Sequence, residues 1–247
     1  MKLIKTSLLS LIATSVKVLA GLVINKAVSV FIGPSGLSLI GQFQNSLQII
    51  FALSQGGIKT GVTKYTSEYN NNGDGVYELW STSAKIILCC SVTMGIILIM
   101  SSPYLSLYTF KSGGYYYIYI ILGFTLVLFS LNQLMLAIIN GLKEIKLFIQ
   151  INIIQSIFSL IFTTLLIVIW GLDGALIALV TNQSFIFLLL IFKIRKQNKI
   201  SLDNFQYKFS RQQASKLSKY ILMTLVSVFT LPTSLLIIRN YLGESLS

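Results

Sequence analysis

Long apolar runs alternate along this chain with short polar or glycine-rich breaks, and the runs are of membrane-crossing length. Residues Lys5 to Ile32 read as one helix, because ~20 apolar residues span ~30 Å of hydrocarbon and this segment offers more. Gly33-Pro34-Ser35-Gly36 is a tight-turn signal, so a second helix, Leu37 to about Ser54, returns directly. Gly56 to Tyr65 leaves the membrane. Thr66 to Trp80, carrying Glu68, Asp74, Glu78 and Asn70-Asn71-Asn72-Gly73, reads as a solvated loop that can begin as a helix and end as one. The same periodicity predicts a third helix over Ser81 to Ser102, closed by Pro103, and a fourth over Tyr117 to Ile139, ending at the C-cap signal Asn140-Gly141. A fifth helix, Leu147 to Trp170, is joined by the turn Gly171-Leu172-Asp173-Gly174 to a sixth, Ala175 to Phe192. A seventh begins near Leu217 and contains Pro232, tolerated in membrane helices. The expected fold class is all-α, a polytopic membrane helix bundle. Its expected parts are a six-helix unit over 1–192, a basic cytoplasmic linker over 193–216 and a further helix within 217–247.

Composition agrees. Hydrophobic residues make up 54% of the chain and charged residues 11%, with a mean hydropathy of +0.79. Soluble domains carry roughly 25% charged residues. The net charge of +12 suggests nucleic acid until the 19 Lys and Arg are placed. Seven spans put only Lys111 and Arg239 on the far side, with Lys17 and Lys26 inside the first helix and all others on the N-terminal side. That asymmetry puts the N-terminus in the cytoplasm and leaves nucleic-acid binding unneeded. The opening Met-Lys-Leu-Ile-Lys could head a signal peptide, but Lys17 interrupts the apolar run and the helix continues past it.

The polar residues inside spans carry the functional information. A lysine at the bilayer centre costs ~2.5–3.5 kcal/mol on insertion scales, so Lys17 should face protein or a cavity. At ~100° per residue, Thr14, Lys17, Gly21 and Asn25 share one side of the helix, and Lys26 lies opposite Lys17. Lys26 can snorkel to the interface. In the second helix Gln44, Gln48 and Gln55 project within ~40° of each other, with Asn45 beside them. They either bond between helices or line a cavity. Asn132 and Gln133, the Asn152, Gln155, Ser156 and Ser159 face, and Thr181-Asn182-Gln183-Ser184 likewise need protein around them. Gly57 and Gly61 mark a bend or close packing. Tyr104, Tyr108, Tyr115, Tyr116, Tyr117 and Tyr119 suit an interfacial aromatic belt better than a sugar site. Cys89 and Cys90, neighbours within a helix, read as small buried residues.

Catalytic chemistry lacks its usual groups. There is no histidine, and the seven carboxylates (Glu68, Asp74, Glu78, Glu144, Asp173, Asp203, Glu244) fall in loops, turns or the tail. No Walker-type sequence is present. The reading is a non-enzyme with no cofactor and no metal. Intramembrane positive charge among amides instead suits an anion such as a phosphate or pyrophosphate head group.

A set of motifs then points to a family: Lys17 and Lys26 in the first helix, Gly33-Pro34-Ser35-Gly36-Leu37, Gly61-Val62-Thr63-Lys64-Tyr65, Asn140-Gly141, Gly171-Leu172-Asp173-Gly174-Ala175, and Leu231-Pro232 followed by Arg239. In order and spacing they resemble Wzx-type flippases of O-antigen or enterobacterial common antigen repeat units, in the polysaccharide-exporter branch of the multidrug/oligosaccharidyl-lipid/polysaccharide superfamily. The resemblance implies a two-lobed, MATE-like transporter of which this chain is one six-helix lobe plus the first helix of a truncated second. It implies a polyprenyl-pyrophosphate-linked oligosaccharide as substrate, membrane lipids and sugar-polymerase assembly proteins as partners, and the bacterial inner membrane as location. Lys17, Asn25, Gln44, Asn45, Gln48 and Arg239 are the candidate substrate-binding residues. Two rivals stay open: a multidrug exporter of the same superfamily, and a non-transporting remnant or assembly partner of the polysaccharide machinery.

Overall fold

A computed structural model describes residues 3–69, 73–197, 205–221, 223–224, 226–227 and 230. Among them the chain is helical, with no strand. Helix α1 (Leu3–Phe31) runs to the Gly33 turn, where φ is 88°, and α2 (Pro34–Ser54) starts on Pro34, whose missing N–H suits a first helical turn. A short helix α3 (Lys59–Glu68) and the long α4 (Gly73–Phe110) follow, then a single 3-10 turn (Gly113–Tyr115), α5 (Tyr116–Gly141) and α6 (Ile145–Gln197). Residues 211–221 begin a further helix, α7. Helices α1, α4, α5 and α6 are each long and apolar enough to cross a membrane, and the chain is a multi-pass membrane protein.

α6 is two antiparallel arms. Gly171 (φ 56°, ψ −125°) breaks it, and a Cβ on Gly174 would lie 1.9 Å from the Leu166 carbonyl oxygen, so only glycine permits the arms to meet so closely. The break falls on the first residue of the turn that the sequence predicts. Beside it the Tyr117 hydroxyl donates to Asp173 at 2.6 Å.

α5 is the centre of the bundle. It packs against α4 on one side and α6 on the other, while α1 lies mainly on α6. One cluster of buried residues, at the end of the bundle carrying Lys59, Lys64 and Lys143, joins Ile58, Val62, Trp80, Ile138, Leu147 and Leu217. A second, at the opposite, tyrosine-rich end, joins Val28, Phe43, Leu98, Tyr119, Leu122 and Leu176. α5 contributes to both. Its crossing with α4 is glycine on glycine, since a Cβ on Gly95 would come 2.7 Å from the Gly123 carbonyl oxygen.

Several local expectations are corrected. Pro103 does not close its helix, which continues to Phe110. Proline cannot serve the carbonyl four residues back, and Ser102 supplies the missing donor, its hydroxyl bonding to the Ile99 carbonyl at 2.8 Å. The stretch from Thr66 to Trp80 is no solvated loop at its ends: Thr66 and Trp80 are buried and joined by an indole-to-hydroxyl bond of 3.0 Å. Residues 70–72 lie outside the described set. Gly141 is still helical, because α3 presses on it, with a would-be Cβ 2.6 Å from Thr66; the left-handed residue after α5 is Lys143, with φ 59°. α7 starts at residue 211 rather than at Leu217. Cys89 is exposed on α4 rather than buried. Tyr104 and Tyr108 stand outward as an aromatic belt requires, whereas Tyr119 is core, donating to Thr109 at 2.7 Å.

Candidate functional site

The surface of α1 not packed on the bundle divides into two arcs. Ala20, Ala27 and Val28 mark the packed face. On one flank the exposed residues are mainly apolar, Leu8, Leu11, Leu19, Leu22, Val23 and Val30, with Ser15 and Ser29 among them. On the other flank lie Ser10, Thr14, Lys17 and Asn25, all exposed, with the half-buried Gly21 among them. A polar arc of this kind is unstable against lipid and is stable beside water or a polar partner. Lys26 is exposed within the apolar arc, apart from Lys17.

α2 returns antiparallel to α1 from the Gly33 turn, so a rise of 1.5 Å per residue sets Lys17 at about the level of Gln48 to Ala52. The buried face of α2 is Ile40, Phe43, Leu47 and Ile50. Gln44, Asn45 and Gln48 are on the opposite, exposed side. Among the described residues no side-chain hydrogen bond or ion pair engages Lys17, Asn25, Gln44, Asn45 or Gln48. Gln55 bonds within its own helix, its amide donating to the Phe51 carbonyl at 2.9 Å.

Where α2 gives way to α3 the chain makes two successive left-handed turns, at Gly56 (φ 58°) and Gly57 (φ 63°), conformations that only glycine adopts freely. These aim the first residue of α3, Lys59, back toward the bundle. A cavity of about 360 Å³ opens there, lined by Gln48, Gln55, Lys59, Thr60, Gln133 and Thr224 on its polar side. Phe51, Ala52 and Phe129 form its apolar side, with the two rings stacked at 3.8 Å. The Lys59 ammonium donates to the Gln133 side-chain oxygen at 2.7 Å, and the Gln133 amide donates onward to Gln183 at 2.7 Å. One side of Lys59 is open, yet burial under the surrounding helices and, second, the charge of Lys17 hold its pKa below the ordinary lysine value.

α7 completes the cavity wall. Thr224 donates to the Gly57 carbonyl at 2.8 Å, and Tyr220 and Leu217 lie where a side chain on Gly61 would stand. The Gly57/Gly61 pair therefore marks both a bend and a close approach. The preceding segment is tied down as well: Ser81 donates to the Tyr207 carbonyl at 2.5 Å and Lys85 to the same carbonyl at 2.7 Å.

The structure thus brings Gln48 to the cavity and Lys17 within electrostatic reach of it. Asn25, Gln44 and Asn45 are exposed toward the other end of α1 and α2, and Arg239 lies outside the described residues. Lys59 and Gln133 escaped sequence reasoning as site residues. Lys59 counts as an ordinary basic residue of a loop unless the preceding double glycine is read as a reversal, which was the available signal. The remaining intramembrane amides mostly bond between helices, Gln155 to Asn132 at 3.4 Å and Asn182 to Ser159. Among the described residues no acidic side chain lines the cavity, the ion pair seen is Lys64–Glu68 at 3.7 Å on the exposed face of α3, and no acidic, cysteine or histidine cluster suits a metal. The arrangement can hold an anion by charge and amide donors; it offers no carboxylate for carrying protons or cations.

No family model matches the chain. Across all 247 residues it is 26% identical to the lipid III flippase of Escherichia coli (strain K12), and likewise to that of Shigella flexneri. The chain spans 59% of the length of these curated relatives. Among solved structures, a MOP superfamily transporter from Pyrococcus furiosus superposes with a TM-score of 0.79 at 18% identity, over 94% of this chain and 53% of that one. A MATE transporter in the straight conformation gives 0.74 at 18% identity, over 94% and 54%. An outward-facing multidrug resistance MATE transporter gives 0.72 at 19%, over 94% and 53%. The chain has the fold of about half of a MATE-type transporter.

Proposed function

We propose that this chain is the amino-terminal lobe, with a basic cytoplasmic linker between the end of α6 at Gln197 and the start of α7 at residue 211, and the first helix of a second lobe, of a flippase for polyprenyl-pyrophosphate-linked oligosaccharides. It turns repeat units for surface polysaccharide from the cytoplasmic to the periplasmic leaflet of the bacterial inner membrane, with its N-terminus in the cytoplasm. The observation that carries the reading is the polar flank of α1 that holds Ser10, Thr14, Lys17 and Asn25, with Lys17 unpaired with any acid among the described residues. The likeness to lipid III flippases, whose name specifies a lipid substrate, supports the choice of an anionic lipid head group over a soluble anion. Lys17 contacts that head group, Asn25, Gln44, Asn45 and Gln48 line its path, and Arg239 is a further contact. Movement follows from one lobe rocking against the other.

Expression in a flippase-deficient strain, alone and together with the carboxy-terminal lobe of a two-lobed relative, tests the reading. Restored surface polysaccharide in either arm supports it. Accumulated lipid-linked repeat units in both arms, beside rescue by the intact relative, leaves a non-transporting assembly partner. The multidrug-exporter reading draws on the MATE fold alone, and extrusion of cationic dyes without polysaccharide rescue would decide for it.

A further inference from the structure

We propose that Lys59 forms a binding site for the pyrophosphate group at its end of the cavity, with Gln133 holding Lys59 until the anion displaces it. The inference rests on the flippase reading and names the side chain that takes the charged part of its substrate.

Four observations converge. The two left-handed glycines turn Lys59 inward, whereas Lys64, on the same short helix, faces outward to Glu68. The partner that Lys59 finds is a neutral amide oxygen, which leaves the ammonium charge uncompensated; an anionic oxygen supplies an acceptor and the opposite charge together. Burial and, second, the like charge of Lys17 disfavour the charged form of Lys59, and an anion bound at its ammonium offsets both. Finally, the cavity has two chemistries: Gln48, Thr60 and Gln133 supply donors on one side, while stacked Phe51 and Phe129 offer an apolar strip along which a prenyl chain can lie. At about 360 Å³ it holds on the order of a dozen waters' worth of liquid, at ~30 Å³ each, enough for a diphosphate and the first part of a chain.

Calorimetric titration of the full chain in lipid nanodiscs with farnesyl pyrophosphate, inorganic pyrophosphate and farnesol tests the site. Both phosphorylated probes should bind, the farnesylated one more tightly, and farnesol should not compete. Lys59→Met should weaken both by about tenfold or more, the equivalent of one charge-assisted bond, with Lys59→Arg within about threefold of the native chain. Lys64→Met should bind as the native chain does. If Lys59→Met loses helicity by circular dichroism, Lys59→Gln is held to the same tenfold criterion. Native affinity in the neutral variant, or equal binding of farnesol and farnesyl pyrophosphate, overturns the site. Binding of inorganic pyrophosphate alone overturns its lipid part. Loss of anion binding in Lys59→Met from a chain that moves no lipid-linked sugar in cells keeps the site and removes the flippase reading; transport alongside native affinity in Lys59→Met does the reverse.

Discussion

Helices α1 and α5 are equally apolar, each with a mean hydropathy of 2.0 over its membrane-spanning part, yet 56% of that window is buried in α5 and 6% in α1. Apolarity puts both in the membrane and says nothing of which neighbour each has there. The polar residues separate them. Several of those of α5 bond within the bundle: Thr125 donates to the Val180 carbonyl at 3.0 Å, Ser130 to Ser54 at 3.2 Å and Gln133 to Gln183. In α1, Ser10, Thr14, Lys17 and Asn25 share one open flank, with no acid among the described residues to neutralise the lysine. α5 is scaffold, and α1 is a wall with one side for lipid and one for something polar.

The contrast breaks most readily at glycine. Gly95→Leu forces a side chain into the carbonyl of Gly123 and should destabilise the bundle by about 3 kcal/mol or more, because backbone cannot step aside. Gly21→Leu in α1 meets nothing within 4 Å and should stay within about 0.5 kcal/mol, both read by unfolding in mixed detergent and urea. Equal losses would mean that α1 is not a free wall. Next in size is Lys17→Ala, which should lower flux of lipid-linked oligosaccharide about tenfold or more while leaving membrane insertion unchanged, with Lys17→Arg keeping part of the flux. Trp80→Phe deletes the buried bond to Thr66 and should cost about 1–3 kcal/mol by thermal unfolding. The smallest effect belongs to Leu22→Ala on the apolar arc, expected within about 0.5 kcal/mol in the same assay, since the exposed position leaves no cavity behind.

Most of the helical plan was legible because span length and turn chemistry are local. The Gly33 turn and the Gly171 break each announce themselves in four residues. Pro103 misled because its consequence depends on a hydroxyl one position earlier that takes over the orphaned carbonyl. Thr66 and Trp80 misled because a polar, glycine-containing stretch between spans is expected to be wet, and only the packing of α3 against α5 makes its ends dry. At the site, helical geometry alone set Lys17, Gln44 and Gln48 on sides of their helices that remain exposed. Lys59 was hidden for the opposite reason: its direction is decided by the two glycines before it and by Thr224, which bonds to Gly57 from 167 positions away.

That distant threonine has a bearing on biogenesis. At synthesis rates of ~5–20 residues per second, the stretch between Gly57 and Thr224 takes roughly 10–30 s to emerge. The bend beside Lys59 is therefore left without its Thr224 bond while α4, α5 and α6 are still being made. Chaperone protection of a nascent chain, mapped by cysteine labelling at Thr60, should persist through that interval and end as α7 arrives.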